Sequence, residues 1–191
     1  MTHGARAEEI EVKLPAADLE AVRRRLRERG ASLARARHAE SNDLYDDAEG
    51  RLSRAGCALR VRRADGECRI TFKGPPRFEQ GVKTREERET TVGDAGEIDA
   101  ILQRLGLRRR FRYEKRREEW ELAGCAVALD ETPIGDFVEI EGDPAGIRKA
   151  VAALELDFAA AIPYSYARLY ALKRQENPAL PADMVFPEGA G

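Results

Sequence analysis

Between Glu9 and Leu14 the chain reads Glu-Ile-Glu-Val-Lys-Leu, ionised and apolar side chains in strict alternation. Only an extended strand sorts such residues onto two faces, one charged and one apolar. The same design returns in Arg60-Val61-Arg62, in Phe72-Lys73, at Lys115 and Arg117, at Asp130 closing Val-Ala-Leu-Asp, and in Glu139-Ile140-Glu141. Any one such face, taken alone, would ordinarily look into solvent. Solvent faces of strands usually favour Thr, Ser and mixed polar residues, whereas these strands carry almost only ionised groups of both signs. That repetition requires a fold that uses the charged faces together.

Strands are expected over Glu9–Leu14, Ala34–Tyr45, Cys57–Arg63, Glu67–Lys73, Val82–Val92, Arg109–Leu122, Cys125–Glu131 and Asp136–Glu141. Pro15 is expected to end the first, and turns are expected at Glu49-Gly50, Asp65-Gly66, Gly74-Pro75-Pro76 and Ala123-Gly124. Leu19, Val22 and Leu26 recur at helical spacing before Gly30, and Ile98, Ile101, Leu102 and Leu105 do so before Gly106. Two more helices are expected over Pro144–Leu154 and Ser165–Lys173. The fold class is therefore α+β, one antiparallel sheet of eight strands able to close into a β-barrel with helices packed outside. Periodicity does not by itself establish the closure. At 191 residues the chain makes one domain, placed at 8–175, between a flexible N-terminus (1–7) and a proline-rich tail (176–191) expected to be poorly ordered.

If the sheet closes with its apolar faces outward, the interior collects Lys13, Arg60, Arg62, Lys73, Lys115 and Arg117 with Glu9, Glu11, Asp130, Glu139 and Glu141. Burying so many ions in a dry core would cost several kcal/mol per ion, so the interior is expected to be wet and to hold a ligand. Six cations suit the charge of a triphosphate, and five carboxylates suit a hard divalent cation that bridges them to phosphate. The site must be local, because 33 Lys and Arg against 35 Asp and Glu leave a net charge of only -2. Binding of nucleic acid through Arg23-Arg24-Arg25 and Arg108-Arg109-Arg110 is the weaker reading, since both runs adjoin Glu-rich segments. The N-terminus lacks the apolar segment of a signal peptide and no stretch approaches the ~20 apolar residues of a membrane span. A cytoplasmic location without membrane association is therefore expected. Cys57, Cys68 and Cys125 lack CxxC spacing and are read as structural.

Glu9-Ile10-Glu11-Val12-Lys13 forms an ExExK motif, and the chain resembles the CYTH superfamily of triphosphate tunnel metalloenzymes. Leu59-Arg60-Val61-Arg62, Thr71-Phe72-Lys73-Gly74, Arg85-Glu86-Glu87, Glu114-Lys115-Arg116-Arg117, Leu129-Asp130-Glu131, Phe137 to Gly142 and Ser165-Tyr166 follow in family order. The resemblance implies an eight-stranded tunnel, dependence on Mg2+ or Mn2+, and a substrate such as ATP, inorganic tripolyphosphate or thiamine triphosphate. It assigns Glu9, Glu11, Asp130, Glu139 and Glu141 to metal, and Lys13, Arg60, Arg62, Lys73, Arg85, Lys115 and Arg117 to phosphate. Catalysis is expected of Glu11, Lys13 and Glu139, and Arg85 and Glu87 are expected on the interior face.

Including Asp-Glu-Thr-Pro-Ile-Gly-Asp-Phe before Val138, the pattern looks most like the CyaB-like, class IV adenylate cyclase subgroup. His3 stands where such cyclases often carry a His-Phe pair, but Gly4 replaces the aromatic. Cyclisation of ATP to cyclic AMP and pyrophosphate, and hydrolysis of a triphosphate, both fit the same residues. A non-catalytic module that senses nucleotide or polyphosphate is the alternative, and the resemblance also allows a homodimer.

Overall fold

A computed structural model describes residues 7–79 and 82–187. His3 and Gly4 lie outside the described residues. The strands are β1 (Ala7–Ala16), β2 (Ser32–Asp46), β3 (Ala58–Ala64), β4 (Glu67–Lys73), β5 (Arg77–Glu79), β6 (Val82–Val92), β7 (Arg108–Leu122), β8 (Cys125–Thr132) and β9 (Gly135–Glu141). Helices are α1 (Leu19–Glu28), α2 (Arg51–Arg54), α3 (Ala95–Arg104), α4 (Pro144–Ala153) and α5 (Tyr166–Glu176), with a 3-10 turn at Phe158–Ala160.

The sheet runs β1-β9-β8-β7-β2-β3-β4-β6, and β6 pairs again with β1 through Glu9↔Arg85 and Glu11↔Lys83. Eight antiparallel strands thus close into a barrel, as the alternation allowed. β5 is a ninth, three-residue strand on the edge of β6 that β4 leaves free after Gly74-Pro75-Pro76. It and α2 are too short to show a period in sequence. Pro15 does not end β1, which continues to Ala16 against Phe137 and Asp136 of β9. By then the pairing with β6 has stopped at Glu11, so the proline's missing N–H falls where no ladder needs it.

Directly opposed residues share a face of the sheet, so the register can be followed around the barrel. Lys13 opposes Glu139, Glu139 opposes Ala128, and Asp130 opposes Arg117. Lys115 opposes Glu40, Asn42 opposes Arg62, Arg60 opposes Thr71, and Lys73 opposes Glu87. The circuit returns to Glu9 through Arg85, which places these ionised residues together on the inside.

The intervening residues form an outer core. Val12, Leu14, Val127, Leu129, Val138 and Ile140 meet Leu19, Val22 and Leu26 of α1 and Ile147, Ala150, Val151 and Leu154 of α4. Asp18 and Asp143 cap these two helices by accepting backbone N–H bonds. Fully buried Leu26 and Ile147 each contribute about 1.5–3 kcal/mol of transfer free energy. α3 covers Val61 and Cys68 through Leu102. Gly142 follows β9 where an added Cβ would lie 2.7 Å from Cys125 Sγ, so β9 can leave the barrel here only without a side chain.

One end of the barrel is filled by an aromatic cluster. Tyr113 and Phe137, with Leu44 and Phe111, pack against Tyr166 and Tyr170 of α5 and against Met184. Residues 177–187 therefore differ from the expected disordered tail. Met184 is fully buried, its N–H donates to Arg112 O at 2.9 Å, and Glu114 N–H donates to Met184 O at 2.9 Å. Proline-rich composition hid one well-anchored apolar residue. No helix among the described residues is long and apolar enough to cross a membrane.

Candidate active site

The inward faces form a nearly continuous circuit of ion pairs. Arg117 forks onto Asp130 at 2.7 and 2.6 Å and also reaches Glu139. Lys13 Nζ lies 3.1 Å from Glu139 and donates to Tyr164 O at 3.2 Å. Lys115 donates to Asp130 at 3.1 Å and sits 3.5 Å from Glu40, whose other oxygen is 3.3 Å from Arg62. On the opposite side Lys73 joins Glu9 at 2.7 Å to Glu87 at 2.6 Å, and Lys83 pairs with Glu11. Arg60 donates to Thr71 Oγ1 at 3.2 Å and to Glu89 at 3.4 Å.

Every residue the sequence pointed to thus lies on the inner face, with differing engagement. Arg85 is spent on the backbone, its guanidinium donating to Gly74 O and, at 3.5 Å, to Gly56 O. Glu87 shares its face, bound by Lys73. Glu141 is the exception in the circuit, since no ion pair holds it among the described residues.

Electrostatics divide the carboxylates into two groups. Burial alone would raise Glu139, but Lys13, Arg117 and Lys115 outweigh it and hold its carboxyl well below the usual range. Glu40 behaves alike, burial being overcome by Lys115, Arg117 and Arg62. Burial lowers Arg117, but Asp130 and Glu139 more than restore it and raise it well above its ordinary value. Glu141 goes the other way: burial, and then Glu9, Glu11 and Glu87, push its carboxyl up to about 7. Its side chain nonetheless reaches the surface at the rim.

A divalent cation fits this donor set. Among the described residues no three carboxylate, thiolate or imidazole groups already converge as a metal site. Glu9, Glu11, Glu87 and Glu141 are nevertheless hard oxygen donors, and the like charges that add to burial in raising Glu141 are what a divalent cation would offset.

Sequence reasoning missed several inward residues. His38, Glu40 and Asn42 form one i, i+2 row on β2, and Tyr113, Lys83 and Glu89 extend others. Tyr166 enters from α5, where Ser165 caps the helix through Arg168 N–H. Its hydroxyl donates to Asp130 at 2.7 Å and its ring lies 3.7 Å beneath Lys13 Nζ. The spacing of His38, Glu40 and Asn42 was the available signal. Register shifts between Arg35 and His38 and between Leu44 and Tyr45 blur the phase of β2 in sequence.

A closed eight-stranded antiparallel barrel whose lumen is lined by paired cations and carboxylates defines a tunnel fold. The chain belongs to the CYTH domain family, whose model matches residues 7–158. It is 29% identical over 149 residues to a Methanocaldococcus jannaschii protein named "Putative adenylate cyclase MJ0240", covering 77% of this chain and 83% of that one. Among solved structures it is similar to a Vibrio parahaemolyticus protein described as a putative adenylate cyclase (TM-score 0.74, 19% identity, 85% of this chain and 97% of that one). PH1819 from Pyrococcus horikoshii OT3 superposes with a TM-score of 0.70 at 28% identity, covering 87% and 99%. A Hippeastrum protein, HpAC1, whose structure is described as that of a putative adenylyl cyclase with a dominant triphosphatase activity, gives 0.62 at 21%, covering 91% and 98%.

Proposed function

We propose that this protein is a divalent-metal-dependent enzyme that binds a triphosphate in the barrel lumen and breaks one of its phosphoanhydride bonds. The observation that carries the reading is the pairing of Lys13, Lys73, Arg60, Lys115 and Arg117 with interior carboxylates, beside a rim of mutually repelling acids at Glu9, Glu11 and Glu141. A triphosphate would take over the cations, and the carboxylates released from Lys73 and Lys83 would be free for metal. Each partner exchange keeps a buried charge compensated, so entry of ligand and metal together avoids the cost of an unpaired ion.

When bound, the metal would supply Lewis-acid polarisation of the phosphate and lower the pKa of a coordinated water. The chain's own residues do the rest. Lys13, Arg117 and Lys115 stabilise the negative charge that shifts onto the bridging oxygen as the bond breaks. Glu139, held ionised between Lys13 and Arg117, keeps both cations aimed into the lumen. Glu11, Lys13 and Glu139 are therefore the assigned catalytic group, with Glu9, Glu11, Asp130, Glu139 and Glu141 the metal-holding set. Arg60, Arg62, Lys73, Lys115 and Arg117 complete the phosphate grip.

Two outcomes of bond breaking are chemically open to this lumen. Water can attack the terminal phosphorus and release phosphate, the activity in the description of the Hippeastrum protein. The ribose 3′ oxygen of ATP can attack the α-phosphorus and release pyrophosphate, the activity in the name of the M. jannaschii protein. The nucleic-acid reading loses support, since Arg23 and Arg25 engage Glu118 and Glu155, and Arg109 and Arg110 engage Asp183 and Asp47 O.

The test is to incubate the protein with Mg2+ or Mn2+ and, separately, tripolyphosphate, ATP and thiamine triphosphate, and to resolve the products. Phosphate release identifies a triphosphatase, and cyclic AMP with pyrophosphate a cyclase. Metal-dependent binding without product would leave a sensor module and overturn the enzymatic assignment.

A further inference from the structure

The cations of the lumen are held in different ways. Buried side-chain atoms without a hydrogen-bond partner gather on β2 and β3, at His38, Glu40, Asn42, Arg60 and Arg62. Lys13, on β1, is instead engaged on several sides, and most of its contacts come from one short stretch far along the chain. Its Nζ donates to Tyr164 O at 3.2 Å, 151 residues away in sequence, and lies 3.7 Å from the centre of the Tyr166 ring. The Ile162 N–H donates to Lys13 O at 2.8 Å. β6 stops pairing with β1 at Glu11 and Lys83, so residues 162–166 take the place of a strand beside Lys13.

These partners differ in charge. Among the described residues the one carboxylate paired with Lys13 is Glu139, at 3.1 Å. A phosphate oxygen that takes over the ammonium must loosen this pair, because the two anions compete for the same N–H groups. The Tyr164 carbonyl and the Tyr166 ring attract a cation through a dipole and a quadrupole, and neither carries a net charge. They can therefore keep Lys13 in place while leaving its positive charge for the ligand.

The ring is itself fixed. Its hydroxyl donates to Asp130 at 2.7 Å, Phe137 meets it edge-on with centroids 5.3 Å apart, and the Tyr113 ring lies tilted against it at 6.0 Å. Asp130 also receives Arg117 and Lys115. One tyrosine thus bears on three cations: on Lys13 through its face, and on Arg117 and Lys115 through Asp130. Lys13 and Tyr166 are each 5% exposed, so little water screens the contact between them.

We propose that the Tyr164 carbonyl and the Tyr166 ring form a neutral cradle for Lys13, and that Tyr166 is a positioning residue that keeps this ammonium aimed when phosphate displaces Glu139. The proposal rests on the triphosphate reading above and assigns a residue that reading leaves outside the phosphate grip. The ring face, not the hydroxyl, holds Lys13, so phenylalanine should replace tyrosine here and an aliphatic residue should not. A Tyr166 that merely packed α5 onto the barrel would lose Lys13 as the ammonium swung to the ligand.

The test observes Lys13 directly. The chain has six lysines, so 13C-lysine labelling gives one εCH2 signal for each, and Lys13→Arg assigns the one sought. Protons held over an aromatic face resonate upfield, so the Lys13 signal should lie furthest upfield, ahead of Lys115, whose Nζ is 5.5 Å from the ring. It should stay there when a methylene-bridged analogue of tripolyphosphate or of ATP, whichever binds tighter, is added with Mg2+. Tyr166→Phe should keep the shift and, within about twofold, the affinity by calorimetry, whereas Tyr166→Leu should lose the shift and about tenfold in affinity, the weight of a desolvated cation–π contact. Return of the Lys13 signal to the range of the other lysines on ligand binding, or equal affinities in the two variants, would overturn the cradle and leave the triphosphate reading intact. Should Tyr166→Leu not fold, the wild-type and Tyr166→Phe spectra decide alone. Failure of both analogues to bind wild type would remove both readings.

Discussion

The Tyr166 hydroxyl donates a 2.7 Å hydrogen bond to Asp130 Oδ2, joining the first turn of α5 to a carboxylate that also receives Arg117 and Lys115. The bond spans 36 residues of sequence and couples the helix that covers one barrel end to the charges lining the lumen. Burial, and then Asp130 and Glu139, raise the Tyr166 phenol well above its ordinary value, so it remains a donor across the working pH range.

Replacing Tyr166 by Phe should keep the ring under Lys13 while deleting that donor. A bond to a charged acceptor carries about 1.5–3 kcal/mol, and the loss should appear as a lower midpoint in urea with an unchanged slope. An unaltered midpoint would mean that the hydroxyl does not hold α5 to the barrel.

Glu139→Gln and Glu11→Gln are expected to abolish metal-dependent turnover and leave the circular dichroism spectrum unchanged. Glu139 is flanked by Lys13 and Arg117, so its neutralisation leaves two cations without their shared carboxylate. Full activity in either variant would remove that residue from the catalytic group.

Glu141 sets a pH dependence whose sign follows from its raised carboxyl. The folded protein holds this proton up to about 7, whereas the unfolded chain releases it near the ordinary value of 4.5. Between those values the native state binds more protons, so Glu141 lowers stability as pH rises through the window, with the full penalty present above about 7. The difference in urea midpoint between wild type and Glu141→Gln should widen from pH 5 to pH 8, the variant being the more stable at pH 8. Saturating Mg2+ should stabilise wild type more than the variant at pH 8. A pH-independent difference would show that the β1 acids do not act on Glu141.

Met184 tests the ordered tail. Truncation to Ala at a fully buried methionine costs about 2–5 kcal/mol. A loss of that size by chemical denaturation is expected, with the lumen charges untouched. A neutral substitution would detach residues 177–187 from the folded unit.

The alternation of ionised and apolar residues in β1, β3 and β9, and the helical spacing of Leu19, Val22 and Leu26, were legible because each depends only on which way successive side chains of one element point. From these came the eight strands, the four longer helices and eleven of the candidate site residues, all on the inner face; Arg85 came only from the family resemblance. Closure was not legible, because it requires Glu9 to meet Arg85 and Glu11 to meet Lys83 across some seventy residues of chain, and no local pattern encodes that pairing.

The same limit explains the row His38, Glu40 and Asn42. Their facing depends on register shifts in β2, and their unmet hydrogen bonds depend on what β3 and β7 bring opposite them. Met184 and Tyr166 acquire their roles only where the tail and α5 cross the barrel end. The chemistry of each strand face was thus determined by the sequence, through side-chain alternation. Which faces meet, and therefore which charges are neutralised and which are left for a ligand, was decided by long-range pairing in the tertiary structure.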